Sequence, residues 1–255
     1  MSAPGLPEEG VFWFLLAFIL AFLAYWLTIE SPGTKTWFFR KFGETRGAVA
    51  YFIFNKLWGA FLFGILCSLA ALAAFPEKEL GTMGLRWPSL PPGDARSLGL
   101  NLGLPILLSG ALVGGNWLRA KKIAAKERDF GRYPEIKIPR WTMGTVLLDL
   151  AFWAIYLFAY ELLFRGTLLF PLAERLGPWT AIGINIALYA AVHIPKGPGE
   201  AIGALFLGAV LCPITLATGS IFTAFAVHAA LAISNDLFAF YHRPDMEWAK
   251  GGRKR

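Results

Sequence analysis

The sequence predicts an all-α fold, a polytopic integral membrane helical bundle of about seven transmembrane helices, with six to eight as the tolerance. Three observations predict it. Of 255 residues, 56% are hydrophobic and only 16% are charged, whereas soluble domains are about 45–50% apolar and about 25% charged. The mean hydropathy is +0.53. The apolar residues also gather into runs near the ~20 residues that a spanning helix requires. The 22 Phe and 10 Trp exceed what a soluble core of this size would hide. Disorder, collagen and a secreted disulfide scaffold are excluded on composition.

The elements follow in order. Residues 11–29 are uncharged and follow Glu8 and Glu9 rather than a basic stretch, so they read as a mature helix and not a signal peptide. The second span is predicted at 57–75, bounded by Lys56 and Pro76, and the third at 98–118, rich in Gly and Leu. The fourth begins near Trp141 and runs past Arg165 toward Leu176. The fifth, sixth and seventh cover 179–194, 201–217 and 221–241. Pro91-Pro92-Gly93 and the stretch from Pro195 to Gly199 are helix breakers. Trp13, Trp26, Trp37, Trp87, Trp117, Trp141 and Trp179 sit near span ends, as interfacial belts require. Cys67 and Cys212 lie in apolar stretches without CxxC or Cys/His spacing, so they read as buried thiols.

Charge sets the orientation. The net charge is +7, and most of the 24 basic residues fall in 30–47, in 119–140 and in the tail from Arg243. With seven spans these segments share one side. The positive-inside rule then puts the N-terminus outside and the C-terminus in the cytoplasm. The basic runs are interrupted by Glu127, Asp129 and Glu135 and lack interleaved aromatics. They fit attraction to anionic headgroups of the lipid bilayer, and no nucleic-acid partner is expected.

Ionisable residues inside a span are costly and usually face a cavity or a partner. Here they are Asp149, Glu161, Arg165, His193, His228 and Asp236, with Lys56 at a boundary. Glu161 and Arg165 are spaced i, i+4 with the acid first, the favourable order for an ion pair. At 1.5 Å per residue, Glu161 lies roughly 25 Å and His193 roughly 23 Å from the turn at Pro178. On the same arithmetic His228 and Asn235 lie roughly 14 and 24 Å from the turn at Gly219, so one shared site is allowed. A carboxylate beside a neutral imidazole suits water activation, and a second His or an Asn suits an oxyanion. One Glu and two His at Glu161, His193 and His228 leave zinc open as a less favoured alternative.

Tyr160-Glu161-Leu162-Leu163-Phe164-Arg165-Gly166 resembles the Glu-Glu-x-x-x-Arg motif of the CAAX prenyl endopeptidase family, the CPBP or Abi intramembrane proteases. Tyr189-Ala-Ala-Val-His193 resembles its Phe-x-x-x-His motif. His228 follows the family-like stretch from Thr218 to Ile221, and Leu80 to Arg86 resembles a family loop. The resemblance divides the chain into N-terminal membrane helices (1–79), a family-like membrane domain (80–241) and a basic tail (242–255). It implies an endopeptidase that cleaves a membrane-proximal peptide segment with Glu/His-activated water and no resident cofactor. On that reading Glu161 and His193 activate water, His228 stabilises the oxyanion with Asn235 beside it, and Arg165, Tyr160 and Tyr189 support them.

The match has two departures. Tyr160 stands where the family has the first Glu, its water-activating base, and Tyr is a weak base at neutral pH. Ala232 stands where the family has Asn, leaving Asn235 one turn deeper. Glu200, just after His193, is a candidate replacement carboxylate. The alternatives are a catalytically impaired member acting as a membrane scaffold or immunity protein, and, more distantly, a proton-coupled transporter. Ser220 shares a helix with His228, so the two form no serine-protease pair, and Ser220 is expected to cap helix seven. Asp149 and Asp236 lack the context of an aspartyl protease.

Overall fold

The computed structural model describes residues 7–88 and 99–249. Pro91-Pro92-Gly93 and the last basic residues, Lys250 and Arg253 to Arg255, lie outside the described residues. The architecture is the predicted all-α membrane bundle. α1 is Pro7–Ile29, and α2 is Pro32–Gly59, which continues through a π-helical segment, Ala60–Leu66, into α3, Cys67–Ala74. A short π segment, Gly99–Gly103, leads into α4, Leu104–Ala125; α5 is Met143–Glu161, and a further π segment, Leu162–Leu168, leads into α6, Leu169–Leu176. α7 is Pro178–Ala191, α8 is Pro198–Thr218 and α9 is Phe222–His242. Among the described residues, five helical runs are long and apolar enough to cross a membrane: Glu9–Ile29, Pro32–Ala74, Met143–Leu176, Pro198–Thr218 and Phe222–His242. With α4 and the 14-residue α7 they occupy the seven apolar runs.

Two boundaries differ from the sequence reading. The second helix does not begin near residue 57 but runs from Pro32, with a break at Gly43 (φ 74°). Lys56 looked like a boundary because it is charged. It is in fact buried and neutralised by Glu135 at 2.7 Å, so the helix passes through it. α4 extends beyond residue 118 to Ala125, carried by Lys121, Lys122 and three alanines, all good helix formers. Trp141 is fully buried and stacks on Phe240 at 4.5 Å, so it is a core residue and not part of an interfacial belt.

The chain forms two compact units. The first comprises Met1–Tyr25, Gly59–Leu104 and Phe158–Phe225. Its core is aromatic: Phe22 stacks on Phe63 at 4.4 Å, and Phe18 meets Phe164 edge-on at 5.4 Å. The π segments Ala60–Leu66 and Leu162–Leu168 pack against each other, and Gly64 lets the first come close to the end of α5, since a Cβ there would lie 2.8 Å from the Ala159 Cβ. The 80–86 loop is laced to the turn before α9. The Ile221 N–H donates to the Gly84 carbonyl at 3.0 Å, and Arg86 Nε donates to the Gly219 carbonyl at 2.9 Å. Gly219 has φ 63°, and a Cβ on it would run into the Arg86 guanidinium. Ser220 Oγ donates to the Arg86 carbonyl (2.7 Å) and accepts from the Phe222 N–H (3.3 Å), which is the expected capping role.

The second unit comprises Trp26–Trp58, Pro105–Leu157 and Ala226–Arg255. It is organised around buried polar groups. Lys56 Nζ lies 3.2 Å from the centre of the Trp153 ring. Trp153 Nε1 and the Glu135 N–H both donate to Asp236 Oδ2, at 3.2 and 3.1 Å. Asp149 faces Asp236 from α5. Asn116 donates to Ser234 Oγ (2.8 Å) and to the Leu231 carbonyl (2.9 Å), tying α4 to α9. The start of the tail is ordered: Glu247–Trp248 pairs in parallel with Arg140–Trp141.

Candidate active site

Glu161 closes α5, and the following π segment carries Arg165 with all seven of its residues buried. The π segment is a helical turn with i→i+5 bonding, a form often found at functional sites. Its backbone is held from the side by Asn185 of α7, whose Nδ2 donates to the Phe164 carbonyl at 2.5 Å. Cys212 of α8 in turn donates its S–H to Asn185 Oδ1 at 3.2 Å.

Glu161 and Arg165 form the ion pair that the i, i+4 spacing predicts, with Nε to Oε2 at 3.3 Å and both side chains 0% exposed. The guanidinium also lies over the Tyr189 ring, 4.1 Å from its centre. Tyr189 is one turn before His193, and the two rings are 4.8 Å apart. His193 Nδ1 is 2.7 Å from the Tyr189 carbonyl oxygen. A carbonyl only accepts, so Nδ1–H is the donor in this bond. Burial and ring contacts thus run without a gap from Glu161 through Arg165 and Tyr189 to His193.

Tyr160 points elsewhere than Glu161. Its ring packs edge-on against Phe22, Phe63, Tyr189 and His193, the last at 6.1 Å between centres. Tyr160 therefore faces His193 with its phenol ring, while Glu161 faces Arg165. Glu200 is half-buried in the first turn of α8. His228 is buried on α9, in the second unit. Asn235 is half-buried in that unit, where it lines a small hollow with Asn116, Arg119 and Tyr133. Among the described residues, no group of three or more His, Cys, Asp or Glu is placed to hold a metal ion.

Sequence reasoning missed Asn185. The search was for ionisable residues, and an Asn in the middle of the fifth span carries the same signal, since an unpaired amide in hydrocarbon is costly. It also placed Lys56 at a helix edge, and it left unpaired two aspartates, Asp149 and Asp236, that the fold brings face to face.

A polytopic helical membrane protein with a buried Glu/Arg pair and a histidine anchored one helix away is the class that fold and site define. Residues 141–234, a little over a third of the chain, match the Rce1-like family model, described as type II CAAX prenyl endopeptidase Rce1-like. The segment holds Glu161, Arg165, His193 and His228, and over it the expected resemblance to CAAX prenyl endopeptidases is borne out. No curated protein and no solved structure matches the chain.

Proposed function

We propose that the protein is an intramembrane endopeptidase that hydrolyses a peptide bond of a membrane-associated substrate with water activated by Glu161 and His193. The observation that carries this reading is the buried path from Glu161 through Arg165 and Tyr189 to His193. Glu161 takes a proton from water as the water oxygen attacks the scissile carbonyl carbon. His193 Nε2 accepts the second hydrogen bond of that water and fixes its direction. The proton then passes to the amide nitrogen, the C–N bond breaks, and a carboxylate and an amine leave. Arg165 holds the Glu161 carboxylate in one orientation. The basic segments support a cytoplasmic C-terminus, and the family resemblance supports a bacterial membrane.

A second reading has one observation in its favour: the phenol ring of Tyr160 packs edge-on against His193. On that reading the protein binds membrane partners without cleaving them. One experiment addresses both. Cleavage of a membrane-proximal reporter segment by the reconstituted protein is compared with Glu161→Ala, His193→Ala and His228→Ala. Loss of cleavage in the first two supports hydrolysis, and unchanged cleavage in all three rejects it. Tyr160→Glu completes the test. A large gain over a silent parent identifies the natural protein as the non-hydrolytic form.

A further inference from the structure

The first limb of α2, residues 32–42, takes no part in the site above. It carries Lys35, Arg40 and Lys41 and no acid. The acid before it, Glu30, is paired with Arg132 at 3.1 Å, and the next acid, Glu44, lies beyond the break at Gly43. Gly43 makes that break possible, since φ 74° is a conformation that other residues avoid.

The break folds the limb back onto the rest of α2. Phe38 packs on Tyr51 at 5.8 Å and on Phe54 at 5.2 Å. Gly47 allows close crossing, because a Cβ there would lie 2.9 Å from the Phe39 Cα. The inner face is thus spent on the protein. The outer face presents Trp37, 51% exposed, and Phe42, 41% exposed. Lys41 Nζ sits over both rings, at 4.5 and 5.5 Å. Pro32, Gly33, Thr36, Trp37, Arg40 and Lys41 line an open hollow of about 710 Å³.

We propose that this limb lies along the membrane surface and binds anionic phospholipid headgroups. Exposed Trp and Phe beside an unbroken set of cations is the chemistry of an interfacial amphipathic helix. The rings enter the boundary between headgroup and acyl chain. Arg40 and Lys41 meet phosphate in the hollow between them, and Lys35 adds charge one turn away. The negative surface of an anionic leaflet complements the acid-free limb. This inference stands independently of the proposed hydrolysis.

The test uses the full chain reconstituted in phosphatidylcholine with a minor share of phosphatidylglycerol. Spin-labelled versions of the two lipids report the relative affinity of each for the protein surface. Lys35→Gln/Arg40→Gln/Lys41→Gln is expected to lower the preference for phosphatidylglycerol on the order of tenfold. Lys35→Arg/Arg40→Lys/Lys41→Arg is expected to keep it, and Arg119→Gln/Lys121→Gln/Lys122→Gln on another segment is expected to lower it less. An unchanged preference in the neutralised limb overturns the proposal. An equal loss in the Arg119/Lys121/Lys122 variant also overturns it, because the effect is then general charge. Inorganic phosphate should compete no better than chloride at equal ionic strength; stronger competition would mark a site for soluble phosphate and overturn the assignment to lipid.

Discussion

Replacing Arg165 by Met removes the cation from a fully buried pair while keeping most of the side-chain volume. At the observed 3.3 Å, Coulomb attraction at an effective dielectric near 20 is about 5 kcal/mol. The lost stacking on Tyr189 adds up to about 2 kcal/mol. Desolvation offsets much of this sum in the intact pair, but removing one partner leaves the other charge buried alone. Breaking such pairs costs about 3–5 kcal/mol. For a chain of this length that corresponds to a fall in melting temperature on the order of 10 °C. The assay is thermal unfolding of the detergent-solubilised protein. The double variant Glu161→Gln/Arg165→Met removes both charges and should recover most of the loss. A single variant as stable as the parent, or a double variant worse than the single, would refute the view that the pair is a neutralised charge site.

Asn185→Leu leaves the Phe164 carbonyl and the Cys212 thiol without their partner inside the first unit. About 1–3 kcal/mol of destabilisation is expected, read from the same melting curve, and no change would show that the π segment does not need the amide. Lys56→Met leaves the Glu135, Asp149 and Asp236 carboxyls with no cation among them, for an expected cost of about 3–5 kcal/mol in chemical unfolding; a neutral result would mean that the cluster is already balanced without Lys56. Glu77 is held below the usual carboxylate range, first by its own backbone N–H and then by Arg175 at 3.1 Å. Because the folded value is the lower one, its contribution is present above the ordinary carboxylate range and is lost as pH falls through the folded value. Arg175→Gln should move the Glu77 carboxyl titration upward in carbon NMR, and an unmoved curve would remove Arg175 from the explanation.

The spans were legible because lipid offers no alternative partner for polar groups, so each helix must announce itself as an apolar run. The same logic made Glu161, Arg165 and His193 visible, and the i, i+4 spacing gave the ion pair directly. What escaped was set by residues distant in the chain. Lys56 marks a helix boundary only if nothing neutralises it, and Glu135 does so from a segment that the sequence presents as a loop. The π turns are equally hidden, since Leu-Leu-Phe-Arg-Gly-Thr-Leu reads as ordinary helix. Tyr160 was seen as a departure, but only packing shows that its ring fills an aromatic cluster against His193. The Asp149 and Asp236 pairing depends on two helices meeting, which periodicity does not encode.

The π segments at Ala60–Leu66 and Leu162–Leu168 have a consequence for sequence change. Each is a helix that has absorbed one surplus residue without losing the phase of its flanks. Elsewhere in a membrane-buried helix, deleting one residue rotates everything beyond it by about 100° and turns its lipid face inward. In these two turns a deletion can instead relax the bulge to regular α-helix and leave both flanks in register. They are therefore places in the bundle where the chain length itself can drift. In the second of them, such a deletion would slide Arg165 relative to Glu161 and so alter the site before it altered the fold.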